Sequence, residues 1–271
     1  DSDGFTISQV NGWEINDNGK TYVAWNWKAG GSGVSNTDGS ITSTVSANAD
    51  TGFSIVSYTG TGSDGSTVGH GLSSAPELAI IKGRDAGYPW MVMGYPTNTS
   101  FPNDGSFLTL STTDAMGNGT GSEISLGSST MTFVDAGGNI CESSRDYIAY
   151  CFHSVDGYSK FGTYTGNDNA DGPFVYTGFR PAFVMISDTT VAGQWVIYDS
   201  KRDNINFAYK AIFANTSGAE STNTALGNID FLSNGFKYRD NSNDVHAGQV
   251  DGATPIYMAF AEQPFKYSNA R

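Results

Sequence analysis

The sequence predicts an all-β protein built from two tandem antiparallel β-sandwich units, and three observations carry this prediction. Glycine supplies 34 of the 271 residues, about twice its usual share, without the three-residue period of collagen. Short β-branched and aromatic runs alternate with clusters of Gly, Asn, Asp and Ser, which is typical of strands joined by turns. A set of short motifs also recurs along the chain at a nearly constant spacing.

The spacing of this internal repeat defines the size of one unit. The matching segments are 57–60 with 163–166, 76–81 with 181–186, 90–93 with 195–198, and 147–150 with 257–260. All four matches occur in the same order, with offsets of about 105–110 residues, which is a common size for one domain. Two separate sandwiches in tandem are the first interpretation, and one pseudo-symmetric fold that shares a sheet is the second.

The repeat also predicts the division of the chain. Residues 22–25 match the Tyr-x-Ala-aromatic endings of both copies, so we expect residues 1–28 to be the final strands of a truncated upstream unit. The parent protein is then expected to be longer than this sequence. The predicted ranges are a linker and leading strand at 29–50, a first sandwich unit at 51–153 and a second at 154–271.

Each unit is expected to contain six main strands. They are 53–58, 77–82, 90–93, 106–110, 131–134 and 147–152 in the first unit, and 161–164, 182–186, 194–198, 209–213, 236–238 and 256–260 in the second. No window of about twelve residues has a convincing helical period. Short helical turns are expected only near residues 217–226.

Charge and hydropathy exclude two classes of partner. The chain carries 14 basic and 27 acidic residues, for a net charge of −13. Nucleic-acid binding requires clustered Lys and Arg to neutralise phosphates, and the sequence has no such cluster. No apolar run approaches the length of about 18 residues that suggests a membrane span, so neither nucleic acid nor membrane insertion is expected.

Catalytic and cofactor motifs are weak in this sequence. Residues 60–65 spell G-x-G-x-x-G, but the pattern that follows is a strand and a turn, not the helix that dinucleotide binding requires. Cys141 and Cys151 are expected to be free and buried, since two cysteines are too few for a zinc site. We therefore predict no enzyme and no cofactor, although two carboxylates suitable for glycoside hydrolysis remain an alternative.

Two acidic loops are the candidate metal sites. Calcium binds six to eight oxygen atoms, and oxygen-bearing side chains cluster at two places in the second unit. The candidate ligands are Asp168, Asn169, Asp171, Asp240 and Asp244. Solvated acidic loops also explain both clusters and are the favoured interpretation, with calcium binding as the alternative.

Aromatic side chains give the candidate ligand-binding surface. Trp90 and Trp195 occupy equivalent positions in the two units, which favours core packing, whereas Trp25 and Trp27 share one face of a predicted strand and are expected to pack on a neighbouring unit or chain. Loops that the repeat does not duplicate are freer to recognise a sugar. The candidates there are Tyr88, Tyr95, Phe101, Arg84, Asp85, Lys201, Arg202 and Asp203.

Distinctive motifs occur at 53–60, 68–72, 75–76, 158–166, 172–181, 229–236 and 257–262. Over about residues 20–265 they resemble a repeated domain of bacteriophage tail-fibre-like, receptor-binding virion proteins. It implies a virion location, other virion proteins as partners, a homo-oligomer and no catalytic residues that can be transferred. With the tandem β units, it predicts a tail-fibre or adhesin element that binds host-surface polysaccharide. A purely architectural virion component and a polysaccharide-degrading enzyme are the alternatives.

Overall fold

In the computed structural model, strands follow one another along nearly the whole described chain, which comprises residues 4–7, 16–94, 106–118, 123–224, 227–239 and 250–264. Within these ranges the helical structure is one 3-10 turn, Ala49–Thr51. The strands are β1 (Val34–Asn36), β2 (Ser43–Asn48), β3 (Phe53–Thr59), β4 (Thr67–Gly69), β5 (Leu78–Gly83), β6 (Met91–Met93), β7 (Ser106–Thr109), β8 (Gly117–Asn118), β9 (Glu123–Leu126), β10 (Thr130–Asp135), β11 (Asp146–Phe152), β12 (Ser159–Thr163), β13 (Phe174–Tyr176), β14 (Pro181–Ser187), β15 (Val196–Asp199), β16 (Ile212–Phe213), β17 (Ile229–Leu232), β18 (Gly235–Tyr238) and β19 (Ile256–Ala261). The all-β prediction is confirmed.

Four antiparallel sheets make up two sandwiches. In the first sandwich, a sheet of order β1-β2-β3-β11-β5-β6-β7-β8 packs on a sheet of order β4-β10-β9. In the second sandwich, β12-β19-β14-β15-β16 packs on β13-β18-β17. The order β3-β11-β5-β6-β7 matches β12-β19-β14-β15-β16 strand for strand, and the small sheets match in the same way. The repeat in the sequence is therefore a repeat of topology.

The central strands bury both faces, and their sequence shows why. Side chains alternate between the two faces of a strand. In β11, Tyr147, Ala149 and Cys151 enter the core of the first sandwich, whereas Tyr150 and Phe152 point the opposite way. Both sets are apolar, so these strands read as continuous hydrophobic runs and not as alternating patterns.

The second faces of the large sheets form a core between the two sandwiches. Phe152 from β11 lies 5.6 Å from Phe161 and 6.3 Å from Phe260, measured between ring centroids. The other buried members are Phe53, Leu78, Ile80, Val92, Leu108, Phe183, Met185, Trp195, Ile197, Ile256 and Met258. The molecule is thus a four-layer stack of sheets with three apolar layers between them.

The segment before β1 crosses from one sandwich to the other. The Lys28 carbonyl oxygen accepts a hydrogen bond from the Asn48 side chain, on the first sandwich. Trp25 and Trp27 instead contact Phe183 of the second sandwich, at centroid distances of 5.5 and 5.6 Å. The expected packing on a neighbouring unit is therefore observed. The described residues 16–33 contain no strand, however, so the expectation that both indoles project from the same strand is wrong.

Two further local expectations have clear outcomes. The expected helical turns near 217–226 do not form in residues 217–224, where the chain makes loops and a single bridge between Ala211 and Ser221. Cys141 and Cys151 are free and buried, as predicted.

In the described ranges, no helix combines the length and the apolar character that a membrane crossing requires.

Candidate functional site

A surface groove of about 490 Å³ opens at the junction of the two sandwiches. We call it the Trp90 groove, because Trp90 is the one aromatic residue among those that line it. Its other lining residues are Leu110, Ser111, Ala214, Asn215, Thr216 and Ser217. Residues from both copies of the repeat therefore build one site.

Two contacts hold the first-sandwich wall in place. Trp90 directly precedes β6, and its carbonyl oxygen accepts a 2.9 Å hydrogen bond from the backbone N–H of Leu110, which follows β7. The Trp90 indole also stacks on Tyr150 of β11, with ring centroids 6.3 Å apart and planes inclined by 20°. The ring is thus fixed by the sheet on one side while it lines the groove.

The second-sandwich wall is a short polar loop after β16. Ala214, Thr216 and Ser217 are exposed, and the Thr216 hydroxyl accepts the backbone N–H of Gly218 at 3.4 Å. Asn215 uses its amide internally: its Oδ1 accepts the backbone N–H of Trp195 and its Nδ2 donates to Gln194. The hydroxyl groups of Ser111, Thr216 and Ser217 are therefore the side-chain groups best placed for a ligand.

The two equivalent tryptophans of the repeat differ in exposure. Trp195 occupies the position equivalent to Trp90 and makes the equivalent backbone bond, from the N–H of Ala214 to its carbonyl oxygen at 2.9 Å. The Trp195 indole is buried in the core between the sandwiches, where its Nε1 donates to the Thr109 carbonyl oxygen. Trp195 is only 3 % exposed, in contrast to the half-buried Trp90.

Backbone hydrogen bonds between the sandwiches fix the geometry near the groove. Met116 donates to the carbonyl oxygen of Thr189 at 3.0 Å, and Gly193 donates to that of Thr113 at 2.8 Å. These two hydrogen bonds tie the sandwiches together beside the groove, so we expect the two walls to keep their separation.

The predicted candidates around residue 88 lie elsewhere on the first sandwich. Tyr88 stacks on Tyr147 at 6.4 Å, and its hydroxyl donates to the carboxylate of Glu142. Arg84 and Asp85 are exposed, and Asp85 lies 3.9 Å from the guanidinium of Arg145. These residues cover the edge of the first core, away from the Trp90 groove.

The candidates at residues 201–203 mainly hold the second sandwich together. Arg202 donates to the carboxylates of Asp199 and Glu220 and to a backbone carbonyl oxygen. Asp203 is buried and accepts the backbone N–H groups of Tyr209 and Lys210. Lys201 is exposed and contributes a backbone N–H to the Asp199 side chain.

Tyr95 and Phe101, the remaining aromatic candidates, lie outside the described residues, as do the calcium candidates Asp240 and Asp244.

The described acidic loop pairs with cations of the protein itself. The Asp171 carboxylate lies 2.7 Å from Lys237 Nζ and 3.4 Å from Arg239 Nη1. The Lys237 ammonium, which hydrogen-bonds to it, lowers the pKa of Asp171 below its ordinary value. Asn169 accepts the Asp171 backbone N–H, and Asp168 adopts a positive φ of 45° in the same turn. Across the described ranges, no three His, Cys, Asp or Glu side chains come together as a metal site.

Sequence reasoning missed the groove although it identified Trp90. The equivalence of Trp90 and Trp195 predicted core packing for both, and both pack in the core between the sandwiches, but Trp90 is only half-buried there. The polar residues 215–217 showed no motif in the sequence.

The fold and the groove define an all-β, double-sandwich protein with an aromatic site at the junction of two repeated units. The chain belongs to the family described as domain of unknown function (DUF7483), whose profile matches residues 1–264. Neither the curated proteins nor the solved structures include a significant match to it.

Proposed function

We propose that the protein binds carbohydrate in the Trp90 groove and serves as a host-attachment element on the surface of a phage particle. The observation that carries the binding proposal is the half-buried Trp90 indole, which lines a groove rimmed by the hydroxyl groups of Ser111, Thr216 and Ser217. The motif resemblance to phage receptor-binding proteins supports the proposed location.

The chemistry of the groove suits a sugar ring. An aromatic ring offers a large apolar face, on which the C–H groups of a pyranose can pack. Hydroxyl groups at the rim can exchange hydrogen bonds with sugar hydroxyls. The volume of about 490 Å³ lies within the range of roughly 300–1,000 Å³ that is usual for small-molecule sites.

Charge narrows the proposed ligand to a neutral saccharide. None of the described lining residues carries a charge, so the site offers no ion pair to a carboxylate or sulfate group. The net charge of −13 also disfavours approach of an anionic polysaccharide.

The same lining favours binding over cleavage. Glycoside hydrolysis uses a pair of carboxylates that flank the scissile bond, and the described lining of the groove includes neither Asp nor Glu. A purely architectural role would instead place another virion protein over the groove.

Trp90→Ala tests carbohydrate binding directly. Neutral glycans are first screened on an array with the wild-type protein, and the Kd of a bound glycan is then measured by calorimetry. We expect Trp90→Ala to weaken binding at least tenfold, about 1.4 kcal/mol, and Trp90→Phe to weaken it less because a ring remains.

Tyr22→Ala is the matched control, since Tyr22 is 52 % exposed and does not line the groove. Circular dichroism confirms that each variant is folded. Unchanged affinity in Trp90→Ala, or no neutral glycan bound by the folded wild-type protein, would refute carbohydrate binding. Immunogold labelling of purified phage particles tests the location separately, with label on the particle surface expected.

A further inference from the structure

Strand β13 is an open edge of the small sheet in the second sandwich. It pairs with β18 on one side, where Phe174 faces Lys237 and Tyr176 faces Gly235. The backbone N–H of Tyr238 donates to Pro173, and that of Thr177 donates to Asn234. Along an antiparallel strand, alternate residues direct their backbone N–H and C=O groups towards the same neighbour. Because Pro173 and Thr177 bond to the β18 side, the N–H and C=O groups of Phe174 and Tyr176 point away from the sheet.

In the first sandwich, backbone groups at the equivalent strand edge are hydrogen-bonded within the protein. The counterpart of β13 is β4, in which the backbone N–H and C=O groups of Thr67 and Gly69 point away from the neighbouring strand β10. The Thr67 carbonyl oxygen accepts the backbone N–H of Ile41 at 2.9 Å, and its N–H donates to the Ser40 hydroxyl at 2.9 Å. The Gly69 carbonyl oxygen accepts the Ser43 hydroxyl at 3.2 Å. A polypeptide segment between β1 and β2 therefore covers this edge.

The second sandwich has no corresponding segment among the described residues. β11 and β12 are joined by residues 153–158 alone, which are too few to form a covering strand. In the described ranges, no backbone group outside β18 bonds to Phe174 or Tyr176.

The side chains of β13 also differ from those of a protected edge. Natural edge strands are commonly blocked by Lys, Pro or bulges, whereas Phe174 is 45 % and Tyr176 is 65 % exposed. Both project from the outer face of the sheet, because the intervening Val175 is buried.

We propose that β13 pairs antiparallel with β13 of a second copy of this chain about a two-fold axis. Phe174 would then lie opposite Tyr176 of the partner subunit, and the two residues would exchange both backbone hydrogen bonds. The same exchange occurs at the symmetry-related position, because a two-fold interface is self-complementary. The two small sheets would become one six-stranded sheet with aromatic pairs across the junction.

Local charge permits this contact in spite of the overall negative charge. The acidic side chains beside β13 are Asp171 and Asp230, and the basic ones are Lys237 and Arg239. The two positive and two negative charges of these side chains balance, so two copies of the sheet can approach each other without strong electrostatic repulsion. The pairing is independent of the Trp90 groove, but linking two such grooves would raise avidity for a repeated glycan.

Sedimentation velocity of the full chain at about 1–100 μM tests the pairing. We expect the wild-type protein to dimerise with rising concentration, and Tyr176→Lys to raise the dimer dissociation constant at least tenfold. Val34→Lys is the control, because Val34 is 66 % exposed on β1, another three-residue strand that ends its sheet.

The results distinguish a second copy of the chain from a saccharide as the partner of β13. A wild-type protein that stays monomeric, or a dimer that only Val34→Lys dissociates, would overturn the proposal. Loss of glycan binding in Tyr176→Lys, with a monomeric wild type, would make the two aromatics a saccharide platform instead.

An engineered disulfide would test the register in which the two β13 strands pair. In the proposed arrangement Val175 faces Val175 of the partner subunit at a non-hydrogen-bonded position, where Cα atoms are about 4.5 Å apart. That distance suits a disulfide, so Val175→Cys should cross-link the dimer under mild oxidation. A dimer that forms no cross-link in this variant would refute strand pairing through β13.

Discussion

The indole Nε1 of Trp195, in the second sandwich, donates a 3.0 Å hydrogen bond to the backbone carbonyl oxygen of Thr109, in the first. This bond crosses the apolar layer between the sandwiches at a site where Trp195 is almost completely buried. Its equivalent in the repeat, Trp90, packs against the same apolar layer but is only half-buried, and it also lines the groove. The two tryptophans thus share the interface, and only Trp90 also contributes to the candidate binding site.

Replacing Trp195 with Phe should destabilise the protein by about 2–4 kcal/mol, because the change removes the shorter of the two hydrogen bonds to the Thr109 carbonyl oxygen and creates a cavity. Urea unfolding followed by far-ultraviolet circular dichroism measures the loss. Trp90→Phe is the matched control and should cost less than about 1 kcal/mol, since the site is partly open. Equal losses for the two variants would contradict the assignment of these roles.

Trp27→Ala should weaken the attachment of the N-terminal segment to the second sandwich. Trp27 contacts Phe183 and Phe260 at centroid distances of 5.6 and 5.3 Å, and loss of these contacts should cost about 1–3 kcal/mol. Limited trypsin digestion should then cut faster after Lys28. Asn26→Ala, at an exposed neighbouring position, should leave the cutting rate unchanged, and a rate unaffected by Trp27→Ala would argue against the contact.

His70 should make stability depend on pH near neutrality. Its Nδ1 accepts the N–H of Leu72, and its Nε2 faces the carbonyl oxygen of Gly127, so the neutral ring fits the site. Burial lowers the pKa of His70 below its ordinary value. The unfolded chain therefore binds the proton first, and stability should fall as the pH drops below about 6.5.

Unfolding free energies at pH 7.5 and pH 5.5 test this dependence, with His70→Gln as the reference that cannot titrate in this range. The wild-type protein should lose more stability than the variant on acidification. A larger loss in His70→Gln would reverse the predicted sign.

The native cysteines should resist thiol reagents. Cys141 and Cys151 are both 0 % exposed, and burial raises the pKa of the Cys151 thiol to about 12. Since the thiolate is the reactive form, neither residue should react with Ellman's reagent at pH 8 until the protein unfolds. Addition of urea should then release two reactive thiols per chain, whereas rapid reaction of the folded protein would show that this core opens easily.

The strands of the cores could be predicted from local pattern. All of the predicted main strands overlap observed ones, because β-branched and aromatic runs bounded by turn residues need little tertiary context to be recognised. The short strands β13 and β17 were not predicted. β13 has three residues and pairs with β18, about 60 residues further along the chain, whereas the four-residue β17 forms a hairpin with β18. The predicted strand 209–213 is regular only at Ile212–Phe213, since isolated bridges replace a ladder before it.

The candidate site could not be predicted to the same extent. The sequence suggested Arg202 and Asp203 as ligand contacts. In the folded chain, however, Arg202 pairs with the Asp199 carboxylate and Asp203 accepts the backbone N–H of Tyr209. The residues at 215–217 have no distinctive pattern, and only folding brings them to Trp90. The two groove walls are separated by more than 100 residues in the sequence, so no local rule could predict their contact.

The order of residues alone established the repeat, the all-β class and the apolar runs that form the sheets, because side-chain alternation and turn chemistry act over a few neighbours. Tertiary structure decided which face of each run meets the other sandwich, which tryptophan stays open and which strand edge lacks a cover. Those outcomes depend on contacts between segments far apart in the chain, such as the hydrogen bond from Trp195 to Thr109, which no local pattern specifies.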